Sequence, residues 1–110
     1  MMRMDAKTKA KYEARAQIIK AIAHPTRLFI VDELANSGER CVCELTEMIG
    51  ADMSTVSKHL AILKQAGIVQ DDKRRSTVYY RLRMRCVLKF FDCIESVMAC
   101  NAKSQQELLA

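Results

Sequence analysis

Apolar positions along this chain recur at helical spacing, switch once to strand-like runs, and then return to helical spacing. The segment Asp5 to Ala23 is rich in Ala, Lys, Glu and Gln, with Ile18, Ile19 and Ile22 gathered near its end, and predicts a first helix. His24-Pro25 interrupts it, and Pro25 suits the first turn of a second helix, where its missing N–H costs nothing. Leu28, Ile30, Val31 and Leu34 carry that helix to the stop signal Asn36-Ser37-Gly38. A short third helix, about Val42 to Ile49, is closed by Gly50, and Asp52 is placed to cap a fourth that runs to Gln65. Ile68-Val69 and Thr77 to Leu82 are β-branched and aromatic runs flanking a polar turn at Asp71 to Ser76, which reads as a hairpin. From about Arg85 onward, Val87, Phe90, Phe91, Ile94, Val97 and Met98 build a fifth helix.

The order α-α-α-α-β-β-α predicts a mostly α fold with a small β-hairpin, a winged helix-turn-helix occupying residues 1–110 as a single domain. The apolar faces of the first and last helices are too large for one copy, so a homodimer built on them is expected. On the fourth helix, at about 100° per residue, Val56, Leu60 and Leu63 share an inner face. Ser54 and Lys58 lie opposite, with Ser57 and Ala61 flanking them. Small hydroxyl residues let a helix enter a major groove and Lys58 supplies charge, and with Thr55 and His59 on the same helix the candidate contacts to double-stranded DNA are Ser54, Thr55, Ser57, Lys58 and His59. At the hairpin tip, Lys73, Arg74 and Arg75 are placed to reach phosphates of an adjacent groove, with Arg81, Arg83 and Arg85 following.

Composition sharpens this picture at two points. The formal charge of +5 and pI near 9.1 suit a polyanionic partner. No run approaches the roughly 18 unbroken apolar residues of a membrane span, and the charged start lacks a secretory apolar region, so a cytoplasmic protein is expected. Five cysteines, an odd number, then read as reduced thiols rather than a disulfide framework, and only His24 and His59 are available as histidine ligands.

The run Ile49-Gly50-Ala51-Asp52-Met53-Ser54-Thr55-Val56-Ser57-Lys58-His59-Leu60-Ala61-Ile62-Leu63-Lys64-Gln65-Ala66-Gly67-Ile68-Val69 resembles the helix-turn-helix signature of the ArsR family of metal- and metalloid-responsive repressors. Ala23-His24-Pro25-Thr26-Arg27-Leu28 and Val78-Tyr79-Tyr80-Arg81-Leu82 match in order and spacing, so the likeness covers Ile19 to Leu82. It implies a dimeric repressor, not an enzyme, that leaves its operator when an inducer binds. The chain departs from the family in lacking a glycine in the wing turn, and in having Met53 where glutamine is common.

Cys41-Val42-Cys43-Glu44-Leu45 resembles the Cys-Val-Cys-Asp-Leu box of arsenic- and cadmium-responsive members, which implies As(III) or Sb(III) as inducer, or alternatively Cd(II) or Pb(II). Independently of that likeness, thiolates bind soft ions, and a helix N-terminus with Arg40 alongside is expected to lower the thiol pKa. Residues two apart point about 200° away from each other on a regular helix, so sharing an ion requires Cys41 and Cys43 to unwind the first turn. Trivalent arsenic prefers three thiolates, and Thr46 stands where the best-known members carry the third cysteine. Cys86, Cys93 and Cys100 recur every seven residues on one stripe of the last helix. At about 10.5 Å per interval, each could join an ion only with a thiol from another element or another copy. Asp92 and Glu95 occur there without a histidine, which argues against the last-helix Asp/His zinc site of other members. Oxidation of paired thiols by persulfide or peroxide is the competing sensor class. A thiol enzyme or metallochaperone finds no Cys-x-x-Cys and no histidine suited to activate a nucleophile, and would leave the wing without a purpose, so no small organic substrate is expected; an architectural DNA binder leaves the thiols idle.

Overall fold

Helix α1 (Ala6–Ile22) begins where the Asp5 carboxylate accepts the Thr8 N–H at 2.7 Å, and the chain turns at Ala23 and His24 into α2 (Pro25–Ser37). The computed structural model describes residues 3–109. A two-residue strand β1 (Arg40–Cys41) leads directly into α3 (Val42–Ile49), and α4 (Met53–Gln65) follows after a three-residue turn. Gly50 makes that turn possible: its φ of 77° lies in the left-handed region, and its N–H closes α3 on the Thr46 carbonyl at 2.9 Å. Any side chain there would cost about 1–2 kcal/mol. Asp52 then caps α4 by accepting the Thr55 N–H at 2.8 Å.

Strands β2 (Val69–Arg74) and β3 (Thr77–Leu82) form the wing, and the antiparallel sheet has the order β1-β3-β2. Two expectations needed correction here. The turn is not Asp71 to Ser76: pairing continues to Arg74 opposite Thr77, leaving Arg75 and Ser76 as the whole loop. Arg75, at φ 58°, takes the left-handed conformation that a tight hairpin turn demands, in a place where glycine is the usual solution. The third strand was not visible in the sequence pattern, because two residues are too few to show alternation; Arg40 pairs with Tyr80 and Cys41 with Tyr79.

The core lies between the helix-turn-helix and the sheet, where Ile30, Val31, Leu34, Leu45, Val56, Leu60 and Leu63 are fully buried. The inner face expected for α4 is thus the one that packs. Helix α5 (Val87–Leu109) behaves differently: of its 23 residues only Val87 is buried. Phe90, Ile94, Val97 and Met98 stay 40–57% exposed along it. The radius of gyration is 17.5 Å, against about 13 Å for a compact chain of this length, in keeping with two helices, α1 and α5, that bury few residues.

Cys86 does not belong to the helical stripe. It sits in the turn before α5, among bonds from Val87 to Met84, Leu88 to Arg85 and Lys89 to Cys86.

Leu60 tests the core assignment. Replacing it with Ala should lower unfolding stability by about 2–5 kcal/mol, read as a reduced urea midpoint with an unchanged denaturant slope.

Candidate DNA-binding surface and thiol site

The outward face of α4 carries Ser54, Thr55, Ser57 and Lys58, all exposed. Its N-terminus is pinned from within, since Asp52 also accepts from the Ser54 hydroxyl at 3.2 Å. Hydrogen bonds from the Thr55 side chain and N–H hold the Asp52 carboxyl below its ordinary range. His59 lies elsewhere. Its ring is half-buried and faces α2, with Nδ1 accepting from Arg27 Nε at 3.2 Å and its centroid 4.5 Å from that of His24.

At the wing tip, Lys73 and Arg75 are exposed and make no ion pair among the described residues. Arg74 is held. Its guanidinium grips Glu39 through two bonds of 2.8 and 2.9 Å, donates to Asp72 at 3.0 Å, and lies 4.6 Å from the centre of the Tyr79 ring. These contacts fasten the tip of the wing to the segment that precedes β1.

Cys41 and Cys43 occupy opposite kinds of position. Cys41 is buried, with an extended backbone, and it is the N-cap of α3. Its Sγ accepts the Glu44 N–H at 3.4 Å, while Glu44 reaches back to the Cys41 N–H at 3.1 Å. Cys43, inside the first turn, is exposed. The reciprocal pair is a capping box with a thiol in the place usually filled by a hydroxyl. Sequence reasoning missed it, although Cys-x-x-Glu ahead of an apolar run carries the signal.

The expected activation of Cys41 is not found. Burial pushes its thiol pKa up, and the neighbouring Glu44 carboxylate acts in the same direction, outweighing the backbone N–H of Glu44. Arg40 does not offset this, because it is committed to Glu33 at 3.0 Å and Glu44 at 2.7 Å. Glu44 is held down to about 2, first by the Cys41 N–H and then by Arg40.

The thiols suit a soft ion chemically. A closed three-thiolate set is not assembled: among the described residues no three Cys, His, Asp or Glu side chains gather into a metal-binding group. Thr46, one turn on from Cys43, has a buried hydroxyl without a hydrogen-bond partner, and a hydroxyl is a poor substitute for a soft ligand. Cys86, Cys93 and Cys100 are all exposed.

A helix-turn-helix whose second helix shows a small, polar outer face, followed by a basic hairpin, defines a winged helix-turn-helix DNA-binding regulator. Residues 24–71 match the profile of the bacterial regulatory proteins of the arsR family. An uncharacterized HTH-type transcriptional regulator of Methanocaldococcus jannaschii is 40% identical over 85 residues, spanning 74% of this chain and 96% of that protein. The arsenical resistance operon repressor of Escherichia coli is 32% identical over 93 residues, spanning 84% and 80%. A homodimeric winged helix-turn-helix DNA-binding domain from Mycobacterium bovis, solved in solution, superposes with a TM-score of 0.74 at 29% identity, covering 90% of this chain and 91% of that one. The chain therefore belongs to the arsR family, and it is a transcriptional repressor rather than an enzyme. Among the described residues no helix is long and apolar enough to cross a membrane.

The capping box predicts a pH signature. With Glu44 depressed from an ordinary value of 4.5 to about 2, its contribution is complete above about 4.5 and fades as pH falls toward about 2. Glu44→Gln should therefore be less stable than the parent at neutral pH, by urea denaturation. The gap between the two should close steadily on acidification.

Proposed function

We propose that this repressor binds double-stranded operator DNA as a homodimer and releases it when Cys41 and Cys43 engage a thiophilic ion, As(III) or Sb(III) before Cd(II) or Pb(II). It would act in the cytoplasm, where thiols stay reduced. The observation that carries the reading is the position of Cys41. One residue pairs with the wing strand, caps α3 and carries a thiol, at the start of the helix that precedes the recognition helix α4.

For both thiols to reach one ion, Cys41 must leave its buried site. Leaving withdraws the cap from the Glu44 N–H, and unwinding the first turn of α3 disturbs the β1–β3 pairing. Helix α3 packs on α4, and Glu39 holds the wing through Arg74, so both proposed DNA-contacting elements are tied to that junction. A third thiolate would come from Cys86, Cys93 or Cys100, in the same chain or its partner.

Dimerisation is supported by the apolar faces left uncovered. Grooves of about 560 and 440 Å³ run on either side of Phe90, between α5 and the end of α1, with Ile19 and Ile22 lining both. A second copy packing on α1 and α5 would cover them, and the Mycobacterium bovis domain of the same fold is homodimeric. Ser54, Thr55, Ser57 and Lys58 would then face the major groove, and Lys73 and Arg75 the backbone. Arg74 would serve chiefly to hold the wing, and His59 to seat α4.

Fluorescence anisotropy on an operator fragment, titrated with arsenite, cadmium and a persulfide donor under reducing conditions, decides the inducer. Arsenite should release the parent but not Cys41→Ser or Cys43→Ser. Failure of every ligand to release DNA, or a Cys43→Ser variant that responds like the parent, would sink the thiol reading. Serine replacements at 86, 93 and 100, one at a time, identify the further ligand.

The wing has its own readout. Replacing Lys73 and Arg75 with Gln should flatten the dependence of log affinity on log salt by up to about 2, whereas an unchanged slope would remove them from the backbone contacts.

A further inference from the structure

Arg27 stands apart from both the outward face of α4 and the thiols, yet from α2 it reaches two other elements, α1 and α4. From the first turn of α2, its Nη1 donates to the Lys20 and Ala21 carbonyls at 3.3 and 3.0 Å. These are last-turn acceptors of α1, where a helix end favours a cation, and the Lys20 carbonyl also takes the Ala23 N–H at 3.3 Å. Its Nε donates to His59 Nδ1 on α4 at 3.2 Å. One guanidinium thus joins the end of a helix with an exposed apolar face to the recognition helix.

The bond sets the state of the imidazole. To accept at Nδ1, His59 must be neutral with its proton on Nε2. His24 packs against it, and its own Nδ1 is occupied in capping α2 by accepting the Thr26 N–H at 3.1 Å. The titratable and charged groups that face His59 are therefore His24, from the α1–α2 junction, and Arg27, from α2. Neither brings a compensating negative charge. Protonation would turn the acceptor into a donor aimed at a donor, and set an imidazolium against a guanidinium.

We infer that Arg27 and His59 form a positioning relay that seats the recognition helix against the end of α1, and that protonation of His59 opens the relay and weakens operator binding. The inference rests on operator binding by α4 and not on the thiol reading. Burial, His24 and Arg27 all hold His59 below the ordinary imidazole range. The sign follows: the neutral ring's contribution is complete above about 6.5 and is lost as pH falls through and below that value. The relay is closed at neutral pH and opens on acidification.

The test compares the parent with His59→Asn, whose amide oxygen keeps an acceptor for Arg27 but does not titrate. Operator affinity is measured at constant ionic strength from about pH 8 to about pH 5.5, with His24→Asn alongside to separate the second imidazole. Parent and His59→Asn should bind alike at the alkaline end, and the parent should fall behind by about fivefold at the acid end. Parallel pH profiles would overturn the relay. Should His59→Asn fail to fold, nitrogen-15 NMR of the parent gives an independent reading. The Arg27 Nε–H resonance should shift with the titration of His59, and a resonance indifferent to it would overturn the proposal equally.

Discussion

The arrangement turns on what Cys41 does at the entrance to α3. Its backbone is paired with Tyr79 of the wing strand, and its side chain accepts the Glu44 N–H that α3 leaves unfilled. Sulfur is a weak acceptor, and the 3.4 Å contact is long beside an oxygen cap. The helix start is therefore supported mainly by the other half of the box, Glu44 reaching back to the Cys41 N–H, with Arg40 bracing that carboxylate against Glu33. A short helix of eight residues has little cooperative reserve of its own, so its geometry follows its cap and its packing on α4.

Charge is used twice in the wing, for different ends. Arg74 spends its guanidinium inside the protein, on Glu39, Asp72 and the face of Tyr79, and so stiffens a hairpin whose loop is only two residues long. Lys73 and Arg75, on either side of it, are exposed and pair with no acidic side chain among the described residues. In a run of three basic residues, pairing rather than position in the sequence separates the structural one from those available for binding.

Most of the fold was legible because its signals are local. Pro25 after His24, the Asn36-Ser37-Gly38 stop, Gly50 and Asp52 each act on the nearest turn and mark a boundary without reference to distant residues. Strand β1 was not legible, since its only support is pairing with Tyr79 and Tyr80, far along the chain. The candidate site divides in the same way. The outer face of α4 follows from helical phase, whereas the fates of His59 and Arg74 depend on Arg27 and Glu39, partners more than thirty residues distant. The thiol chemistry was misjudged for a related reason. A cysteine at a helix start looks activated from its neighbours in sequence, but burial by the fold opposes ionisation of Cys41 more strongly than the helix end favours it.

Helix α5 buries a single residue against its own chain. In the proposed homodimer, where a second copy covers that apolar face, ordering the helix, joining two chains and presenting two recognition helices would be one coupled equilibrium. Where single chains predominate, the amount of DNA-competent protein rises with the square of chain concentration. Repression would then set in more steeply with expression level than binding by single chains allows, and a small excess of synthesis over dilution would suffice to close the operator.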